Sequence, residues 1–144
     1  MQAASPARLY ATVVGAVLTI VGIIGFFYSS DFGSPGNVDD MFGIFAVNGW
    51  DNVLHLATGL LGLAAAAYAA RTYALALGLL YVVAALWGFI IGSGDAILGL
   101  FPIDTPDNIL HLILGVVGLA AGTASPAPAG ARPAPAAGSG APGP

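Results

Sequence analysis

The sequence predicts an all-α fold, a transmembrane four-helix bundle formed by two tandem, parallel-oriented helical-hairpin repeats. Three observations predict it. The composition is too apolar to clothe a water-facing surface, four segments are long enough to cross a bilayer, and an internal duplication gives each copy two of those segments. Of 144 residues, 58% are hydrophobic and 7% are charged, with a mean hydropathy of +0.90. A soluble domain carries about 25% charged residues, so lipid must solvate most of this chain. The length is that of one domain. The charges are three Arg and seven Asp, with no Lys or Glu. So little positive charge argues against nucleic acid as a partner, because affinity for phosphate backbones comes from Lys and Arg. The expected partner is the lipid bilayer. Cysteine is absent, which removes disulfides, thiolate metal sites and cysteine nucleophiles together. Abundant Ala, Gly and Pro, with Arg in place of Lys, point to a GC-rich bacterial genome.

A bilayer core of about 30 Å takes roughly 20 apolar residues in a helix. The first span runs from about Leu9 to Tyr28 without a charge, and the second from about Asn52 to Ala70, bounded by Asp51 and Arg71. The third covers about Tyr73 to Gly92, and the fourth Asn108 to Gly122. The fourth is the shortest, so it is the weakest span and the one to draw on Thr123 and Ala124. The first reads as a retained span, not a cleaved leader. Its apolar run exceeds the usual ~7–15 residues, and no small-x-small site follows Phe26-Phe27-Tyr28. Residues 1–8 then form a short cytoplasmic N-terminus, and 9–122 the membrane domain, with repeats at about 8–70 and 71–122. Residues 123–144 form a Pro/Ala/Gly-rich tail with little apolar bulk to bury, expected to be disordered in the cytoplasm.

Charge sets the orientation. Arg8 precedes the first span, Arg71 separates the second and third, and Arg132 follows the fourth, so with four spans all three Arg share one side. Asp31, Asp39, Asp40, Asp51, Asp95, Asp104 and Asp107 all share the other. Arg near span ends marks the cytoplasmic face, so both termini are expected inside the cell membrane. One misplaced span would have mixed the signs.

The duplication is direct. At an offset of 56, Gly43–Ala65 and Gly99–Ala121 agree at 12 of 23 positions without a gap. The odd-numbered spans match at an offset of 63, pairing Arg8, Tyr10, Ala11 and Gly15 with Arg71, Tyr73, Ala74 and Gly78, and Gly25-Phe26 with Gly88-Phe89. A unit of two spans returns the chain to its starting side, so the copies point the same way. Helices in lipid associate through small residues that let backbones approach. Gly88-x-x-x-Gly92, Gly118-x-x-x-Gly122 and Gly62-x-x-x-Ala66 have that spacing. Packing within the chain is the first reading of these faces, and a homodimer is the second. Ahead of each motif, Phe42-Gly43-Ile44-Phe45 and Leu98-Gly99-Leu100-Phe101 read as half-buried segments lying in the interface, anchored by Trp50.

One constellation has the residue types for chemistry, the repeated Asp-Asn-x-Leu-His motif: Asp51, Asn52 and His55 in one copy, Asp107, Asn108 and His111 in the other. Asp51 and Asp107 fit the N-cap, where a side-chain oxygen accepts from an orphan backbone N–H and complements the helix dipole. The histidines lie one turn further in. Asn and His are three residues apart on one helix face, so each even-numbered span presents an Asp/Asn/His cluster at equal depth. Ionisable residues in a span are candidate functional sites. The bland reading is interhelical hydrogen bonding that fixes the bundle. The functional alternatives are a haem with His55 and His111 as axial ligands, a metal site using both histidines plus Asp or Asn, and a proton or small-solute path through titrating imidazoles. No span carries a charge at its middle, and no nucleophile–base pair or phosphate-binding loop occurs, so the chain reads as non-enzymatic.

The stretch Phe42-Gly43-Ile44-Phe45-Ala46-Val47-Asn48, together with Asn52-x-x-His55-x-x-x-Gly59 and Asn108-x-x-His111-x-x-x-Gly115, is similar to a family of small bacterial membrane proteins catalogued as domain of unknown function 4383. The resemblance covers roughly residues 8–122. It implies four transmembrane helices and no assigned activity, and it transfers no catalytic residue. The reading that results is an integral membrane protein of unknown activity without a required cofactor, packed in its outer half by the paired motifs.

Overall fold

A computed structural model describes residues 4–127. Most of the Pro-rich tail, residues 128–144, lies outside the described residues. Four helices alternate with two small hairpins: α1 (Pro6–Gly25), β1 (Asp39–Met41), β2 (Phe45–Val47), α2 (Gly49–Tyr68), α3 (Ala70–Ile91), β3 (Ala96–Ile97), β4 (Phe101–Pro102) and α4 (Thr105–Thr123). Ser5 caps α1 by accepting from the Arg8 N–H, and Pro6 follows it at the first helical position, where its missing N–H costs nothing. Only Ala69 separates α2 from α3, so the chain reverses there almost without a loop.

Three of the helices, α1, α3 and α4, are long and apolar enough to cross a membrane. The least apolar helix is α2, whereas the sequence pointed to the fourth as the weakest. The reason lies in the start points. Helix α2 begins at Gly49 and takes in Trp50, Asp51, Asn52, His55 and Thr58, while α4 begins at Thr105 and extends to Thr123. Just past residue 122, Ser125 is buried and its hydroxyl accepts from the Ala7 N–H at 2.9 Å.

Each outer connection forms a small hairpin. β1 pairs antiparallel with β2, and β3 with β4. Each hairpin closes on two successive left-handed residues, Phe42-Gly43 (φ 58° and 70°) and Leu98-Gly99 (φ 54° and 68°). That is the backbone of a primed two-residue turn, whose twist matches the strands it joins. Phe42 and Leu98 therefore stand 58% and 68% exposed at the tips.

Helix α1 packs on α2 and α3 on α4, the two closest helix pairs, and α1 meets α3 along the centre. A Cβ on Gly15 would lie 2.8 Å from the Leu63 nitrogen and 2.9 Å from the Gly59 oxygen; one on Gly78 would lie 2.8 Å from the Leu119 nitrogen and 2.9 Å from the Gly115 oxygen. Only glycine lets these backbones approach so closely. The central core joins Ala7, Tyr10, Val14 and Leu18 of α1 to Ala74, Leu77 and Tyr81 of α3. Outside it, large apolar side chains such as Leu9, Leu61, Leu79 and Ile90 are more than half exposed. Extensive exposed apolar surface marks a membrane or protein contact.

Three glycines of the small-residue stretches are covered by side chains from a neighbouring helix. Gly62 lies under the Tyr73 ring, Gly118 under Tyr10, and Gly122 under Leu75. Tyr10 and Tyr73 each then donate to a carbonyl of the same helix, Leu114 and Thr58 respectively, both at 3.0 Å. Gly15→Ala and Gly78→Ala are expected to destabilise the protein by about 1–3 kcal/mol each through overpacking. Leu61→Ala, at an exposed position, should shift it by less than about 0.5 kcal/mol. Denaturant titration in detergent micelles, followed by circular dichroism, checks both.

Candidate functional site

The site begins with the caps of α2 and α4. Asp51 and Asp107 are not the N-caps that the sequence suggested. Asn48 caps α2 by accepting from the Asp51 N–H at 3.0 Å, and Asp104 caps α4 by accepting from the Asp107 N–H at 2.7 Å. Sequence reasoning missed both residues, although each stands three positions before a motif Asp and the two share the 56-residue offset. Each cap also reaches the other half of the molecule. The Asn48 amide donates to the Leu100 carbonyl at 2.6 Å and to that of Pro35 at 2.7 Å. The second Asp104 oxygen accepts from the Ala46 N–H at 2.6 Å. The loops thus cross-link, and Asn48 is fully buried where they do.

Displaced to the third helical position, each motif Asp sits in the positive end of its helix and faces the His one turn on. His55 Nδ1 lies 3.2 Å from Asp51 Oδ2, and His111 Nδ1 lies 3.1 Å from Asp107 Oδ2. The His55 contact is close but poorly directed as a hydrogen bond, since its Nδ1 lacks an aligned acceptor. The two imidazoles meet across the bundle with ring centres 6.2 Å apart and planes tilted by 43°. That separation lies within the ~4.5–7 Å of interacting ring pairs.

Asn52 and Asn108 do not join them. Asn52 is fully buried against α1, where its amide donates to the Ser29 carbonyl at 2.8 Å, and its oxygen abuts Gly25 without a partner. Asn108 is 2% exposed, and its oxygen abuts Gly88 in the same way. The expected Asp/Asn/His clusters therefore split. The Asn side chains wedge into their own helix pairs, and the Asp–His pairs face each other. The match of Gly25 with Gly88 now has a cause, because a Cβ at either would overlap the amide.

A further residue missed by sequence reasoning is Tyr81 of α3. Its ring centre lies 4.5 Å from that of His111, it is 5% exposed, and its hydroxyl has no partner. Tyr81, both histidines and both motif Asp line a cavity of about 210 Å³. A carboxylate behind Nδ1, leaving Nε2 free, is the arrangement of metal-binding imidazoles. Among the described residues no group of three or more His, Cys, Asp or Glu converges to hold a metal ion, so the pair by itself supplies two axial ligands at most.

Buried polar pairs inside a helical bundle that exposes apolar side chains define a helical protein of membranes, with three helices suited to span. The family described as domain of unknown function (DUF4383) matches residues 8–124, and the chain belongs to it. No curated protein and no solved structure matches the chain.

The caps yield a test. Asn and Asp are equivalent N-caps in isolated helices, yet here each makes a bond that the other cannot. Asn48→Asp loses the two amide-donated bonds, and Asp104→Asn loses the acceptor for Ala46. Each substitution is expected to cost about 1–3 kcal/mol, measured by the same denaturant titration, although helix content is preserved.

Proposed function

We propose that the protein is a four-span membrane protein without catalytic activity, in which the hairpins α1–α2 and α3–α4 are duplicated units locked at their outer ends by the Asp-His pairs. Both termini lie in the cytoplasm of a cell-membrane protein. The observation that carries the reading is the meeting of His55 and His111, ring centres 6.2 Å apart, each backed by its own Asp. The equal close approaches at Gly15 and Gly78 support two like hairpins. Helix α2 spans with the other three because its polar first turns are satisfied by caps and neighbours rather than by water. Orientation is supported by the Arg residues: Arg8 and Arg71 sit at one end of the bundle, where Arg71 Nε donates to the Gly122 carbonyl at 3.2 Å, and all seven Asp precede or follow spans at the other.

Gly15, Gly78, Asn52 and Asn108 act within each hairpin, whereas the Asp–His pairs act between hairpins. A double-mutant cycle on His55→Leu and His111→Leu should return a coupling of about 0.5–3 kcal/mol; additive effects would overturn the lock. Tags at both termini should resist external protease in intact cells, and cleavage of either would refute the orientation. The haem alternative has its own check, visible absorption of the detergent-purified protein. A colourless preparation is expected, and a Soret band that both His55→Ala and His111→Ala abolish would replace the lock with axial ligation.

A further inference from the structure

The two halves differ most tellingly along α3. At the 63-residue offset, Tyr81, Ala84 and Trp87 stand where α1 carries Leu18, Val21 and Ile24. These three residues line the 210 Å³ cavity, which is bounded by α2, α3, the start of α4 and the β3–β4 hairpin. Its polar lining is nearly confined to Tyr81 and the two Asp–His pairs, and the remainder is almost wholly apolar, including Trp87 and Phe101. Leu80, Val83 and Leu98 on its rim are 47%, 49% and 68% exposed, so it opens sideways, toward lipid in the membrane reading on which this inference rests.

The polar groups select the occupant. Tyr81 offers a buried O–H with no acceptor, and leaving such a donor unsatisfied in the interior is unfavourable. Each imidazole turns Nδ1 to an Asp, so a neutral ring keeps its proton there and presents a lone pair at Nε2. Two carboxylates beside the cavity repel anions, and Arg8 and Arg71, the arginines among the described residues, lie at the other end, which disfavours a phosphate head group. A group that accepts from a phenol and donates to an imidazole is a hydroxyl. The aromatic, apolar walls suit a ring, and 210 Å³ lies below the ~300–1,000 Å³ of pockets that enclose whole ligands. The ring enters and its tail stays in lipid.

We propose that this cavity binds the head group of a neutral, lipid-soluble hydroquinone, with one ring hydroxyl accepting from Tyr81 and donating to a histidine Nε2. The corresponding quinone has no proton to donate and binds more weakly. The chain has two tryptophans, so Trp50→Phe leaves Trp87 as a reporter in the cavity wall. In nanodiscs, titration with a decyl-chain benzoquinol should give saturable quenching of Trp87, about tenfold tighter than for its quinone, with calorimetry on the unsubstituted protein giving the same ranking. Tyr81→Phe, which preserves shape, should weaken the quinol about tenfold, and Ala84→Leu should abolish binding of both by filling the space. Absence of saturable quinol binding would overturn the proposal. So would a quinone that binds as tightly as the quinol, or binding that survives both substitutions, which is partition into lipid. Failure of the protein to insert in nanodiscs defeats the membrane reading itself; inserted protein that binds nothing defeats only the ligand.

Discussion

Close approach of helix backbones is the constraint on which the other contacts depend. Lipid supplies no hydrophobic drive between helices, so association must come from contact at short range. Gly15 set against Gly59 and Gly62, and Gly78 against Gly115 and Gly118, bring each pair of helices together. Once they are that close, Gly25 and Gly88 leave room for one buried amide apiece, Asn52 and Asn108. Gly62 and Gly118 likewise leave room for tyrosines that reach in from the other pair and bond to carbonyls. A bulkier residue in the seam would push back the helix and uncouple these polar contacts together.

The same geometry explains why the acidic side chains gather at one end. A polar group in hydrocarbon is tolerable only with partners inside the protein. The helix starts provide them: Asn48 and Asp104 cap their own helices while accepting from or donating to the opposite loop, and the motif carboxylates pair with the histidines one turn deeper. The opposite end relies on Tyr10 and Tyr73, whose rings stand 6.5 Å apart. Aromatic hydroxyls can reach carbonyls there while keeping most of their surface apolar.

Helix number, the family and the duplicated motifs were legible because lipid demands long apolar runs and because the glycine and histidine spacings recur. Local starts were less so. Asp51 satisfied every local criterion for an N-cap, yet Asn48 holds it, because only at Asn48 does one side chain also meet Leu100 and Pro35 across the loops. The hairpins escaped notice since Phe42 and Leu98 adopt positive φ, which side chains with a Cβ seldom do. Asn52 and His55 share a helix face by spacing, but that face is wide enough to touch α1 at one edge and the opposite hairpin at the other. Which residue meets which neighbour depends on how the helices cross, and spacing along one helix carries no record of that.

Tyr81 was illegible for a different reason: nothing in its own segment marks it. Its meaning comes from comparison with Leu18, at the equivalent place in the other half. Leu18 is 4% exposed and Tyr81 5%, so both fill the same kind of central position. Packing alone is met by leucine, as α1 demonstrates. Features that the architecture requires, the glycine seams, the buried amides and the Asp–His pairs, occur in both halves. An unpartnered phenol occurs in one, beside a cavity, at a cost that the bundle has no structural need to bear. Under the proposed duplication each half is a control for the other: what both share holds the molecule together, and what one half adds at a cost to stability is where binding should be sought.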